Sequence, residues 1–168
     1  MFYTEWTAEE ESMASAIVAQ VVAAVHACNS ALKEEGMPFA FQLAFPDHQA
    51  VNSGNRVRVF SHDQQALVMF LQHERIKPLR RMPGVIRADI SPAPAGAKIS
   101  GVFVRARDAD GAKMARDRNE RKPKAYFEIA MSSQATKRRF ALRIRLEKDA
   151  TERPLNSYGL GGAAIPMF

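Results

Sequence analysis

The first hundred residues alternate between strand-like and helix-like hydrophobic patterns. Residues 2–6, which include three aromatic residues, are typical of a short first strand. Thr7 followed by Glu10 is a capping-box pattern that predicts a helix from about residue 8. Gly36 and Pro38 should end this helix. Apolar residues recur at helical spacing and should form the buried face of this helix; they are Met13, Ile17, Val21, Ala24, Cys28 and Leu32. Val18, Val22 and His26 form a second stripe.

The pattern then changes to strands. Phe39, Phe41, Leu43 and Phe45 alternate with smaller or polar residues, which predicts a strand. The next elements are a strand over 56–60, a helix that begins after a Ser61 and Gln64 capping box, and a strand over 85–90. The resulting order, strand, helix, strand, strand, helix, strand, is typical of a ferredoxin-like domain.

A second unit should follow the Pro- and Gly-containing segment at 91–96. Strands are predicted over 99–104, 126–131 and 140–146, with a polar, basic helix or loop over 110–122. The sequence therefore predicts an α+β protein with a ferredoxin-like domain over 1–91 and a smaller C-terminal α+β domain over 97–168.

Composition excludes several classes of protein. The 168 residues are 46% apolar, which is too much for a disordered tail. The single cysteine, Cys28, excludes a disulfide scaffold. No apolar run reaches about 18 residues, so no membrane-spanning helix is predicted. The first twelve residues are acidic, opposite to a secretory signal, and we expect a soluble, cytoplasmic protein.

Charge is distributed unequally along the chain. Residues 1–54 contain one basic and seven acidic residues, whereas residues 55–168 contain 23 basic and 11 acidic residues. Such asymmetry is typical of a surface that binds a polyanion, most commonly nucleic acid inside a cell. A basic surface without any partner is the alternative.

Few residues suggest catalytic chemistry by themselves. The four histidines do not form a metal-binding pattern, and no phosphate-binding glycine loop or nucleophile elbow is present. His26 lies on an apolar helix face, either as a core or interface residue or as a general base. Ser132 and Ser133 could form an ordinary polar turn, and Tyr158 could be an ordinary turn aromatic.

The basic residues cluster most densely between positions 105 and 124. They could lie on a solvated, salt-bridged helix, or they could bind nucleic acid, because arginine pairs with phosphate and with guanine edges. Phe140, next to a run of basic residues, could stack on a base or belong to the core of a strand.

The C-terminal third carries a specific combination of motifs. In order these are Ser133-Gln134-Ala135-Thr136, the strand Phe140 to Arg145, Ser157-Tyr158-Gly159-Leu160, Gly162, and Pro166-Met167-Phe168. Together they resemble the CRISPR repeat-processing endoribonucleases of subtype I-F, the Csy-four type of the Cas-six superfamily. The Ala44-Phe45-Pro46-Asp47 turn and the segment 54–71 extend the resemblance to about four fifths of the chain.

This resemblance implies a ferredoxin-like domain joined to a smaller RNA-binding domain. It implies an enzyme that binds the repeat stem-loop of pre-crRNA and cleaves at the 3′ base of the stem, with no metal and no cofactor. The RNA 2′-hydroxyl attacks the adjacent phosphate and leaves a 2′,3′-cyclic phosphate. The enzyme then stays on the crRNA hairpin as a subunit of the type I-F interference complex, without a membrane partner.

Residue roles follow from the same resemblance. His26 matches the general base, Ser133 the serine that positions the 2′-hydroxyl, and Tyr158 the tyrosine that orients the histidine. Phe140 matches the aromatic residue that stacks on the closing base pair. The other RNA-binding residues it implies are Arg105, Arg107, Lys113, Arg116, Arg118, Arg121 and Lys122. The basic run Lys137, Arg138 and Arg139, which follows Ser133, is also predicted to bind RNA.

Three interpretations stay open at this stage, and the first is the endoribonuclease described above. If the helix is aligned with the family without an insertion before Phe45, Asn29 or Ser30 takes the place of His26 and the base is missing. The protein would then be a non-catalytic subunit that caps the crRNA hairpin. The third alternative is an unrelated ferredoxin-like RNA-binding domain with no preference for a CRISPR hairpin.

Overall fold

The computed structural model of the chain describes residues 1–49, 52–97, 99–106, 126–133, 136–148, 151–166 and 168. The fold is α+β, with antiparallel sheets and separate helices. The N-terminal elements are β1 (Phe2–Ala8), α1 (Glu11–Glu34), β2 (Gln42–Ala44), β3 (Arg56–Ser61), α2 (Gln64–Leu71), a 3-10 helix (Lys77–Arg81) and β4 (Val85–Pro92).

Strands β1 to β4 form one sheet in the order β2-β3-β1-β4, in which all neighbours are antiparallel. Trp6 on β1 is fully buried against Phe70 of α2, and their rings meet edge to face with centroids 5.9 Å apart. Ile17, Val18 and Val21 of α1 are buried in the same core. The apolar stripe of α1 therefore packs where the helical spacing predicts.

The C-terminal elements are β5 (Ile99–Arg105), β6 (Phe127–Ser132), β7 (Arg139–Glu147), β8 (Glu152–Arg153), β9 (Gly162–Ala163) and β10 (Ile165–Pro166). Four of these strands form a sheet in the order β10-β5-β7-β6, and β8 pairs with β9. Along β6, buried and exposed residues alternate, as expected of a strand with one face in the core.

The two sheets share a hydrophobic core. Phe45, directly after β2, contacts Phe103 of β5 and Phe127 of β6 edge to face, with ring centroids 5.2 and 5.1 Å apart. The side chain of Gln42 donates a hydrogen bond of 2.7 Å to the carbonyl of Ala163. Residues near the end of the sequence thus pack against the N-terminal sheet.

Two local predictions are wrong. Strand β1 runs through Thr7 to Ala8, so Thr7 cannot cap a helix and α1 begins only at Glu11. The predicted strand over 39–45 is reduced to Gln42–Ala44. Its first part is instead held by the buried Asn29, whose side chain accepts from the N–H groups of Ala40 and Phe41 and donates to the Phe41 carbonyl.

Helix α1 is a candidate membrane span by length and composition, although the sequence contains no uninterrupted apolar run of about 18 residues. It is long and apolar enough to meet the length and composition criteria for a membrane-spanning helix. Ser, Gln, His and Asn interrupt its apolar run, but they add no charge, so the helix as a whole still meets these criteria. Core helices of soluble proteins meet the same criteria. Its buried residues pack against the sheet and against β6.

Candidate functional site

A groove of about 580 Å³ lies between α1 and the C-terminal sheet. Its lining includes His26 from the middle of α1, Ser133 after β6, Phe140 on β7 and Tyr158 near the end of the sequence. The structure therefore brings the three residues predicted to be catalytic to one groove, together with the aromatic residue predicted to stack on RNA.

His26 is half-buried and stacks face to face with Tyr158. The ring centroids are 4.1 Å apart and the planes differ by 4°. The Oγ of Ser30, one helical turn after His26, lies 3.5 Å from Nδ1. The imidazole also hydrogen-bonds to the backbone of Ser157. These contacts fix the position of the ring at the wall of the groove.

The surroundings of His26 favour its neutral form. Burial lowers the pKa of His26 below its ordinary value, and the positive charge of Arg105 lowers it further, whereas the hydrogen bond to Ser157 acts in the opposite direction. The net effect is a lowered pKa. At neutral pH the imidazole is therefore unprotonated and able to accept a proton.

The turn that carries Tyr158 is tied to the rest of the protein. Asn156 Oδ1 accepts a hydrogen bond of 2.9 Å from the Tyr158 N–H, and the Gly159 carbonyl accepts one of 2.7 Å from the N–H of Leu43. Gly159 has a φ of +72°, and a Cβ at this position would lie 2.7 Å from Cγ1 of Val25. A glycine here lets the turn approach α1 closely enough for Tyr158 to stack on His26.

Arg105 lies at the end of β5, with its guanidinium carbon 5.3 Å from the centroid of the Tyr158 ring. It is exposed and so places a cation beside the stacked pair. The predicted RNA-binding residues Arg107, Lys113, Arg116, Arg118, Arg121 and Lys122 lie outside the described residues.

Ser133 occupies the turn between β6 and β7. Its Oγ accepts a hydrogen bond of 3.2 Å from the Thr136 N–H, and its own N–H donates to the Arg138 carbonyl at 2.9 Å. Lys137 adopts a left-handed φ of 56°. The side chains of Lys137, Arg138 and Arg139 are exposed, so this turn places three cations next to the groove.

Phe140 follows these cations on β7, opposite Met131 of β6. Met131 is buried, whereas Phe140 is only partly buried and meets Tyr158 edge to face, with ring centroids 6.5 Å apart. The Phe140 ring thus lines the groove and packs against the core at the same time.

The sequence suggests Ser30 only as an alternative to His26 and does not suggest Arg75, yet both residues line the groove. The position of Ser30, four residues after His26 on a helix, could have indicated it. Arg75, between α2 and the 3-10 helix, also lines the groove, and no local pattern in the sequence points to it. Asn29, the alternative to His26, is instead buried and holds residues 40 and 41.

The groove combines an unprotonated imidazole, a serine hydroxyl, a partly exposed aromatic ring and nearby cations. Such a set can accept a proton from a hydroxyl group and bind a phosphate.

In the part of the chain that the structure describes, no group of three or more His, Cys, Asp or Glu side chains could hold a metal ion. No protein-family model matches the chain, and the search of curated proteins gives no significant match.

Proposed function

We propose that this protein is a metal-independent endoribonuclease that cleaves the repeat stem-loop of CRISPR pre-crRNA. The observation that carries the proposal is the convergence of His26, Ser133 and Tyr158 on one groove, with the His26 and Tyr158 rings stacked 4.1 Å apart. These residues come from distant parts of the sequence and were selected by motif resemblance.

The proposed reaction begins with the neutral imidazole of His26, which takes the proton from an RNA 2′-hydroxyl. The 2′-oxygen attacks the adjacent phosphorus, a P–O2′ bond forms and the P–O5′ bond breaks. The products are a 2′,3′-cyclic phosphate and a 5′-hydroxyl, which takes up a proton. A positioned base contributes about 10²–10⁴-fold to such a step, and orientation of the bound nucleophile contributes further.

Ser133 and Tyr158 act by positioning. Ser133 Oγ accepts from the Thr136 N–H, so its hydroxyl hydrogen can be donated to the attacking hydroxyl or to the phosphate. Tyr158 keeps the imidazole in one plane by stacking on it. Both residues therefore hold the reacting atoms in the geometry that in-line attack requires.

The hairpin is proposed to bind across the cations beside the groove. Lys137, Arg138 and Arg139 are exposed on the β6–β7 turn, and Arg105 lies next to Tyr158. Phe140 is partly exposed and can stack on the closing base pair of the stem. The basic segment 107–122 would extend this interface along the RNA.

The proposal includes a ferredoxin-like domain over residues 1–91, an RNA-binding domain over 97–168, and a cytoplasmic location. The element order through β4 and the sheet order β2-β3-β1-β4 support the ferredoxin-like assignment. After cleavage the protein would stay on the crRNA hairpin as a subunit of the type I-F interference complex.

Cleavage of a labelled repeat hairpin in EDTA tests the proposed reaction. We expect one cut at the 3′ base of the stem and a 2′,3′-cyclic phosphate on the upstream product. A hairpin with 2′-deoxyribose at the cut site should bind without being cleaved, because the nucleophile is absent. Tight binding of both hairpins without cleavage would contradict the enzyme and favour the non-catalytic capping subunit.

The pH dependence of cleavage should report the lowered pKa of His26. A protonated imidazole cannot act as a base, so kcat/KM should fall by about tenfold per pH unit below that pKa and level off above it. We expect the midpoint to lie below the ordinary histidine value of about 6.5.

Arg105→Gln tests whether the positive charge of Arg105 lowers the pKa of His26. Removal of this charge should move the midpoint of the pH profile of cleavage to higher pH. Arg81→Gln, an exposed position away from the groove, should leave it unchanged. A midpoint that is identical in the wild type and Arg105→Gln would contradict the influence of Arg105.

A further inference from the structure

Arg75 lines the same groove as His26 but belongs to neither the predicted catalytic residues nor the predicted RNA-binding residues. It is half-buried. Within the described part of the chain, its guanidinium makes no hydrogen bond and no ion pair. A cation that faces a groove without a partner is available to a phosphate or carboxylate ligand.

The backbone of Arg75 is held in place from two sides. Its carbonyl accepts a hydrogen bond of 2.9 Å from the side chain of Gln20 on α1, and its N–H donates to Nδ1 of His73 at 3.2 Å. The protein therefore fixes the backbone while leaving the guanidinium free. Substitution of the side chain keeps both hydrogen bonds, because they involve only backbone atoms of Arg75.

The position of Arg75 relative to His26 follows from the helix. Gln20, which anchors Arg75, lies six residues before His26, and a helix rises about 1.5 Å per residue, so the anchor is about 9 Å from His26 along the axis. Ala23 forms the groove wall between Gln20 and His26, and Ala19 lines the groove next to Gln20. These short side chains leave space for an extended chain between the histidine and the arginine.

We infer that Arg75 binds a phosphate of a single-stranded RNA segment that lies along α1 and continues from the bond cleaved next to His26. The inference rests on the proposed function and adds a second, single-stranded subsite to it. A hairpin cut at the base of its stem is continuous with single-stranded RNA, and this segment must leave the site. The groove provides a path for it, with a free cation near the anchor at Gln20.

Hexauridylate labelled with fluorescein tests the subsite without any hairpin. Its affinity is measured by fluorescence anisotropy over a range of salt concentrations for the wild type, Arg75→Ala and Arg81→Ala. Arg81 is the matched control, because it is exposed, lies outside the groove and makes no hydrogen bond or ion pair within the described residues.

We expect Arg75→Ala to weaken binding by about three- to tenfold and to reduce the slope of log affinity against log salt by about 0.7, the loss of one phosphate contact. Arg81→Ala should match the wild type. In the wild type, hexauridylate should also shift the NMR signals of the His26 imidazole, which locates the strand in the groove.

Three results would overturn the inference: no binding of hexauridylate by the wild type, equal affinities of the wild type and Arg75→Ala, or His26 signals that hexauridylate does not move. Each of these can occur while the repeat hairpin is still cleaved in EDTA. Failure of the subsite is therefore distinguishable from failure of the proposed function, which the hairpin assay tests separately.

Discussion

Replacement of His26 with alanine should slow hairpin cleavage by about 10²–10⁴-fold, the contribution of a positioned general base. Hairpin binding should change by no more than a few-fold, because the phosphate contacts are assigned to other residues. The measurement is single-turnover cleavage together with the dissociation constant of the hairpin that carries 2′-deoxyribose at the cut site. A loss confined to the chemical step would identify His26 as the base.

His62→Ala is the control for this experiment. His62 is exposed and does not line the groove, so its replacement should leave both cleavage and binding unchanged. Thermal unfolding of the two variants shows whether the loss of the stacked ring at His26 alters folding. If His26→Ala cleaves as fast as the wild type, His26 has no part in the reaction.

Gly159→Ala should both destabilise the protein and impair cleavage. The added Cβ would lie 2.7 Å from Val25 Cγ1 and 3.2 Å from Leu43 Cγ and from the Phe41 carbonyl oxygen, in a backbone with φ of +72°. Overpacking costs about 1–3 kcal/mol and a left-handed conformation about 1–2 kcal/mol. We therefore expect the free energy of unfolding to fall by about 2–5 kcal/mol. We expect the turn to relieve part of the clash by moving away from α1, which would shift Tyr158 away from His26.

Gly36→Ala separates the effect of the steric clash from the effect of the left-handed backbone conformation. Gly36 has nearly the same φ, +73°, but a Cβ there would have nothing within 4 Å. It should therefore show only the smaller conformational cost and retain full cleavage activity. Denaturant unfolding and single-turnover cleavage of both variants provide the comparison. Equal stability losses in the two variants would mean that the approach of Gly159 to α1 is not tight.

The regular elements could be predicted because their patterns are local. The spacing of Ile17, Val21 and Ala24 predicts the buried face of α1, and all three are buried. The strand predicted over 56–60 is β3, which extends one residue further. Such patterns depend on which side of an element faces the core, and the neighbouring residues in the sequence are sufficient to indicate this.

The errors occur where a tertiary contact decides the local structure. The N–H groups of Ala40 and Phe41 bind the side chain of Asn29 rather than a neighbouring strand, and a local alternation pattern does not include that partner. For α2, the cap is Asp63, whose Oδ1 accepts from the Gln65 N–H, whereas the pattern at Ser61 indicated the helix but not its cap.

In the candidate site, too, the residues could be predicted but their tertiary contacts could not. His26, Ser133 and Tyr158 could be selected by motif resemblance, but nothing local places them together. Their meeting depends on the packing of the C-terminal sheet against α1 and on the hydrogen bond from Leu43 to Gly159. Arg75 could not be selected at all, because its relation to His26 arises only from the hydrogen bond between its carbonyl and Gln20.

The stacking of Tyr158 on His26 has a consequence for synthesis of the protein. The ribosome synthesises His26 long before Tyr158, because more than a hundred residues separate the two positions in the sequence. Contacts between residues so distant in sequence form late, because a long loop must close first. A nascent chain with the N-terminal sheet folded would therefore contain the proposed base without the ring that orients it. The proposed RNA cleavage should therefore begin only after translation has passed Tyr158 and its turn has packed against α1.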